Sequence, residues 1–258
     1  MWPSISSPII STTSPKRDAD GRLLNRHRKL VPTWAEKLTW ANGDASNLRV
    51  ETTAIARLGA LICGESPNTL ARFALLAQGE QVHIATYPPA WPTRRSGASQ
   101  NYNLTEAIRI RSAAHAFEGK VFNVVASCAL DERSIEAVSQ GNQELRRILT
   151  SAPPATSMIL GPQGELLGEP QVGGEGMVVA EIDVSLSIEQ KQFHDIVGYY
   201  NRFDIFRLVV DQRPNRPITL IREESEAKRA LHNESQPVTD ALFASSEFNR
   251  LMEQEPEG

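Results

Sequence analysis

Leu61-Ile-Cys-Gly-Glu-Ser-Pro-Asn-Thr-Leu-Ala-Arg-Phe-Ala-Leu-Leu-Ala-Gln-Gly-Glu80 is the stretch that decides the fold. An apolar run from Ala54 to Ile62, broken only by Arg57, leads into it and reads as a strand entering a core. That strand delivers Cys63 to its end. Ser66 is placed to cap a helix whose first position is Pro67, and Leu70, Phe73, Ala74 and Ala77 recur at helical spacing as its buried face. A second apolar run, Val82-His-Ile-Ala-Thr86, follows. The unit is strand, cysteine, helix, strand. A thiol in that turn faces unpaired N–H groups and the positive end of a helix dipole, and both favour thiolate. A buried core cysteine is the alternative at this point, since free cysteine is among the most buried residue types.

Upstream, Asp18-Ala-Asp-Gly21 is a turn and Arg22 to Lys29 a short strand with a basic end. Trp34 to Trp40 and the turn Asn42-Gly43-Asp44 then lead to the cysteine unit. Downstream, Pro88 to Ser99 is a proline-rich loop. Asn103 to Glu118 is a helix with Leu104, Ala107, Ile108, Ala114 and Phe117 as core contacts. Val121 to Ala129 is an apolar strand that places Cys128 in the core. Asp131 to Leu149 is one further helix, and Ser157–Leu160, Met177–Ile182 and Ile205–Val210 are strands. Alternating strands and helices, then turn-linked strands, imply an α/β layered fold.

The balance of 40% hydrophobic and 22% charged residues is that of a soluble globular protein, and the net charge of −4 carries no basic stripe. Nucleic acid is therefore not an expected partner. No apolar stretch reaches membrane-spanning length, so no membrane is expected either. Two cysteines without a CxxC pattern exclude a disulfide framework and suit a reducing, cytoplasmic setting. Residues 1–15 contain five Ser, two Thr, three Pro and no charge, and read as a disordered leader. Residues 16–212 form the domain, and 213–258 a charged tail. No phosphate-binding glycine motif and no His/Asp/Glu cluster at metal-ligand spacing is present, so neither cofactor nor metal is expected.

His27-Arg-Lys-Leu-Val-Pro-Thr33, Glu36, Trp40 and Gly43-Asp44 together resemble the lysine motif of the nitrilase superfamily. Gly59-Ala-Leu-Ile-Cys63-Gly-Glu65 with Ala77-Gln-Gly-Glu80 resembles the cysteine motif of its nitrilase branch. Lys29 precedes Cys63 by 34 positions and Glu36 by 7, in the family's register. Met158 to Gly164, Gly173-Gly-Glu-Gly176 and Tyr200-Asn-Arg-Phe-Asp204 extend the likeness, which runs from about Lys16 to Asp211.

The resemblance implies a four-layer α-β-β-α sandwich and a carbon–nitrogen hydrolase that turns a small-molecule nitrile into acid and ammonia. Cys63 is then the nucleophile. Lys29 and the Gly64 N–H face the negative charge of the adduct, and Glu36 positions the lysine. Glu65 orients the turn, while His83 is a satisfied structural histidine. Amidase or cyanide hydratase is the runner-up chemistry. Two departures stand out. Residues 1–35 contain no glutamate, whereas the family's general-base glutamate lies on an early strand. The fold is thus expected to be N-terminally incomplete and the chain inactive, weak, or an oligomer-joining subunit, prone to self-association. Where nitrilases often carry Gly-His-Tyr, this chain has Gly198-Tyr-Tyr. The residues that bind substrate are not assigned by sequence.

Overall fold

The computed structural model describes residues 13–90 and 102–214. It opens with a hairpin of β1 (Thr13–Arg17) and β2 (Leu23–Arg28), paired antiparallel. The Asp18 carboxylate closes its turn by accepting from the N–H groups of Asp20 and Arg22. β1 begins at Thr13, inside the stretch expected to be leader. Along β2 and just beyond, the buried residues alternate as Asn25, His27 and Lys29. The period is that of a strand with one buried face, but this face is polar. Buried polar groups must find partners, and these find them in segments that follow.

Short 3₁₀ turns at Trp34–Leu38 and Ala45–Asn47 lead to β3 (Glu51–Thr52) and β4 (Arg57–Ile62). Another 3₁₀ turn, Cys63–Glu65, precedes α1 (Thr69–Ala77). Next come β5 (Val82–Tyr87), α2 (Leu104–Gly119), β6 (Phe122–Ser127), α3 (Glu132–Ser139) and α4 (Gln143–Ser151). β7 (Thr156–Leu160), β8 (Gln171–Val172) and α5 (Leu186–Phe193) complete the described elements.

Strands β3 to β8 form one six-stranded sheet in chain order, with β4, β5 and β6 parallel and the other neighbours antiparallel. Parallel neighbours require crossover helices, and right-handed crossovers in one direction put both on one face. The registers Leu61↔Ala85 and Ala85↔Val125 place those three side chains on that face. Leu61 packs with Ala71, Ala74 and Leu75 of α1, and Ala85 and Val125 with Leu104, Ile108 and Ala116 of α2. The opposite face, built on Val82 and Phe122, is covered by Leu167, Ile182 and Val184. The fold is the expected α/β class: a helix layer, a six-stranded sheet and a two-stranded one.

Several expectations need correction. Asn68, not Ser66, caps α1 by accepting from the N–H groups of Leu70 and Ala71. This turns the helix so that Ala71, Leu75 and Leu76 are buried while Leu70 is 63% exposed. Residues 131–149 are two helices, because Gln140 and Gly141 both take left-handed backbone angles. Residues 177–182 and 205–210 run without strand pairing, and the N–H groups of Ile205 and Phe206 close a turn onto the Arg202 carbonyl: β-propensity without a neighbouring strand to bond does not make a strand. Cys128 is exposed, just past the end of β6. Most of the proline-rich loop and nearly all of the tail lie outside the described residues. Among the described residues, no helix is long and apolar enough to cross a membrane.

Candidate functional site

Cys63 stands at the C-terminal end of β4, where parallel strands commonly open onto a site. Its φ of 48° is left-handed, a conformation that costs a non-glycine residue about 1–3 kcal/mol and is held by its surroundings. Glu65 supplies much of the hold. One of its oxygens accepts from the Leu30 N–H at 2.5 Å and the other from the Ile62 N–H at 2.8 Å. His27 Nε2 lies 3.1 and 3.0 Å from the two oxygens. Through one buried carboxylate the elbow is thus tied to the end of the hairpin. Glu65 orients the turn, as the sequence suggested; His27, quoted there within the lysine motif but given no role, is a supporting residue.

The same tie fixes Lys29, which is 1% exposed. Its Nζ donates to Glu36 Oε2 at 2.5 Å, and that oxygen also accepts from the Thr33 N–H at 2.5 Å. The Gly43 N–H donates to the Lys29 carbonyl at 2.8 Å, and a Cβ on Gly43 would fall 2.4 Å from the Arg28 oxygen. Only glycine permits that approach. Arg28 is paired with Asp44 at 2.6 Å, so each residue of the Gly43-Asp44 dipeptide braces one residue of Arg28-Lys29.

Four charged or polar neighbours act on the Cys63 thiol. Burial pushes its pKa above the ordinary 9.0, and Glu36 adds to this, while Lys29, Arg111 and the Gly64 N–H pull it down. The expected thiolate is therefore not the resting state. The first reason is burial, and α1 starts at Thr69, six residues on, so Cys63 is not in the first turn of that helix, where its dipole acts. The hydroxyls of Tyr87, Ser66 and Ser112 gather beside Cys63, all buried, with no well-aligned hydrogen bond to any of them. None of these, nor Arg111, stood out in the sequence. Ser66 had looked like a helix cap, and the others occupy ordinary strand and helix positions.

At the end of β6, a cavity of about 210 Å³ is lined by Ser127, Cys128, Ser157, Gln171 and Gly173 among others. Tyr87 and Ser127 are register partners on adjacent strands, so this cavity opens along the same sheet end as the cysteine elbow. Elsewhere, Glu80 lies fully buried between two imidazoles, 2.7 Å from His83 Nδ1 and 2.8 Å from His115 Nε2. The sequence spacing had shown no such cluster, because His115 arrives from α2. Three donor atoms gathered this closely form a set that a metal ion could use, but the distances are those of direct hydrogen bonds. His83 is the satisfied structural histidine expected.

Residues 17–192 match the carbon-nitrogen hydrolase family. A nitrilase of Paraburkholderia phymatum is 36% identical over 201 residues, covering 78% of this chain and 56% of that protein. An aliphatic nitrilase of Rhodococcus rhodochrous is 32% identical over 240 residues, covering 92% and 63%. A bifunctional nitrilase/nitrile hydratase of Lupinus angustifolius is 32% identical over 205 residues, covering 78% and 55%. The chain spans between 55% and 63% of the length of these curated relatives. Among solved structures, a carbon-nitrogen hydrolase from Helicobacter pylori superposes with a TM-score of 0.57 at 17% identity, covering 71% of this chain and 60% of that one. That likeness supports the fold.

Proposed function

Because this chain belongs to the carbon–nitrogen hydrolase family, on its nitrilase branch, we propose that Cys63 attacks a nitrile carbon to form a covalent thioimidate. What supports this reading is the Lys29–Glu36 pair, held at 2.5 Å, both members of which act electrostatically on the Cys63 thiol at its strand-end elbow. A nitrile is a weak electrophile and needs a soft nucleophile. In the attack the S–C bond forms, one π bond of the nitrile breaks, and the thiol proton ends on nitrogen. Lys29 and the Gly64 N–H face the charge that builds there, which is where preorganised donors contribute most. Water then displaces ammonia and, in a second addition, frees the acid and the thiol.

Both hydrolytic steps call for a general base. Glu36 is committed to Lys29 and Thr33, and Glu65 to the elbow. The geometry therefore supports adduct formation better than turnover. Losing a positioned base costs about 10²–10⁴ in rate. Intact-mass measurement of the purified 258-residue chain with an activated nitrile tests this. A stoichiometric adduct lost in Cys63→Ala and strongly slowed in Lys29→Met is expected, with ammonia release far below one turnover per adduct formed per minute. An adduct that survives Cys63→Ala, or rapid ammonia release, would overturn the assignment.

A further inference from the structure

Among the described residues, Arg111 of α2 has no counter-ion. Its guanidinium bonds to the Tyr102 hydroxyl and lies over the Tyr102 ring, 5.7 Å from its centre. Tyr102 in turn packs on the core cluster that contains Cys63, Tyr87 and Ile108. Among the described residues no carboxylate pairs with Arg111, and residues 91–101, which lead into Tyr102, include no Asp or Glu. A half-buried cation is ordinarily paired, because desolvation without compensation is costly. Beside it are hydroxyls in the same position. Tyr87 is 3% exposed, and its hydroxyl and those of Ser66 and Ser112 are buried with no well-aligned hydrogen bond, the two serines being the hydroxyls within reach of Tyr87. Arg111 and Cys63 both act electrostatically on Tyr87, and Ile108, one turn before Arg111 on α2, belongs to the same cluster as Cys63 and Tyr87, so cation, hydroxyl and nucleophile border one cluster. Its unmet needs are a negative charge and hydrogen-bond acceptors. A carboxylate supplies both, and a guanidinium fork matches its two oxygens.

We propose that Arg111, with the Tyr87 hydroxyl as second donor, binds a carboxylate on the substrate, so that the site takes a cyano-carboxylic acid. This rests on Cys63 being the nucleophile, and the test separates the two ideas. The full chain is alkylated with iodoacetate and with iodoacetamide, and the rate at the Cys63 peptide is followed by mass spectrometry, which keeps the exposed Cys128 apart. Any change in thiol ionisation affects both reagents alike and cancels in the ratio of the two rates. The ratio is expected to fall on the order of tenfold in Arg111→Gln, to recover partly in Arg111→Lys, and to fall a few-fold in Tyr87→Phe. The neutral reagent doubles as a check that each variant is folded around Cys63. An unchanged ratio in Arg111→Gln and Arg111→Lys, with Cys63 reactive, overturns the carboxylate site alone. Cys63 unreactive to both reagents in the natural chain removes the nucleophile reading, and this proposal with it.

Discussion

At the scale of single residues, the site is a balance of burial against charge. Cys63 is raised by burial more than Lys29, Arg111 and Gly64 lower it. Its alkylation by a neutral reagent is therefore expected to climb with pH, about tenfold per unit, through pH 9 without a plateau. A plateau below pH 8 would mean that the cations win. Glu65 offers a second test. It accepts from the N–H groups of Leu30 and Ile62 and pairs with His27, and each donor orphaned in a core costs about 1–3 kcal/mol. Glu65→Ala is expected to lose about 3–5 kcal/mol in urea unfolding; a loss under about 1 kcal/mol would show that the elbow holds itself. Cys63, Lys29 and Glu36 were legible because their types and spacing form motifs. Tyr87 and Arg111 were not, since each is ordinary in its local context, and His27 stood in the lysine motif without a role until Glu65, distant in sequence, supplied one. Asn25, His27 and Lys29 carry a further lesson: a strand's alternation can be right while its inward side is polar, and hydropathy then points to the wrong face.

At the scale of elements, parallel strands β4, β5 and β6 were readable because their apolar runs and the intervening helices follow one rule. Helix limits were less so. The cap of α1 depends on which of Ser66 and Asn68 bonds the free N–H groups, and the break between α3 and α4 on two left-handed residues. What joins strand to helix across the sheet is Glu80. It sits against β4, where a Cβ on Gly59 would lie 1.6 Å from its Oε1, and it bonds His83 of β5 and His115 of α2. Gly59→Ala is expected to expel the carboxylate and leave that cluster unpaired, at a cost of about 3–5 kcal/mol in chemical denaturation; a near-neutral result would show that Glu80 has room to move. The cluster also sets an acid limit. Desolvation, with His83 beside it, lowers His115 from 6.5 to about 4, so between those values the unfolded chain takes up a proton that the fold refuses. Glu80 is lowered from 4.5 to about 2, against its own desolvation, by the His83 and His115 imidazoles. Its contribution is complete above pH 4.5 and lost as pH falls through 2. His115 therefore makes stability fall as pH drops from about 6.5, and Glu80 adds to the fall only below about 4.5. Denaturation midpoints measured from pH 7 to 4 are expected to fall steadily, and less steeply in His115→Gln. A flat profile, or an unchanged slope in the variant, would remove His115 from that role.

At the scale of the whole molecule, the described residues bury one good core yet leave much apolar surface in water. Tyr199, Tyr200, Phe203, Ile205, Phe206 and Val209 are all exposed within one short segment, and Met177, Val179, Leu186, Ile188 and Phe193 add to the exposed apolar surface. Scattered exposed apolar residues are normal; a dense run of them marks a surface that takes a partner. The sheet itself is not the sticky element, since its edge strands β3 and β8 are two residues each, and short edges template little pairing. Association is therefore expected to run through side chains of the 199–209 segment and not through strand addition. Sedimentation of the purified chain at tens of micromolar should show species heavier than 28.5 kDa, weakening on dilution. Phe206→Ser with Val209→Asp should shift the chain toward monomer, because a charge desolvated in an apolar contact is strongly unfavourable. Those positions belong to neither the Cys63 elbow nor the Arg111–Tyr102 contact, so Cys63 alkylation in the variant reports whether the domain beneath is intact. A natural chain that sediments as a single 28.5 kDa species across that range would show that these aromatic residues are covered from within. Association that persists in the double variant would move the contact to another surface.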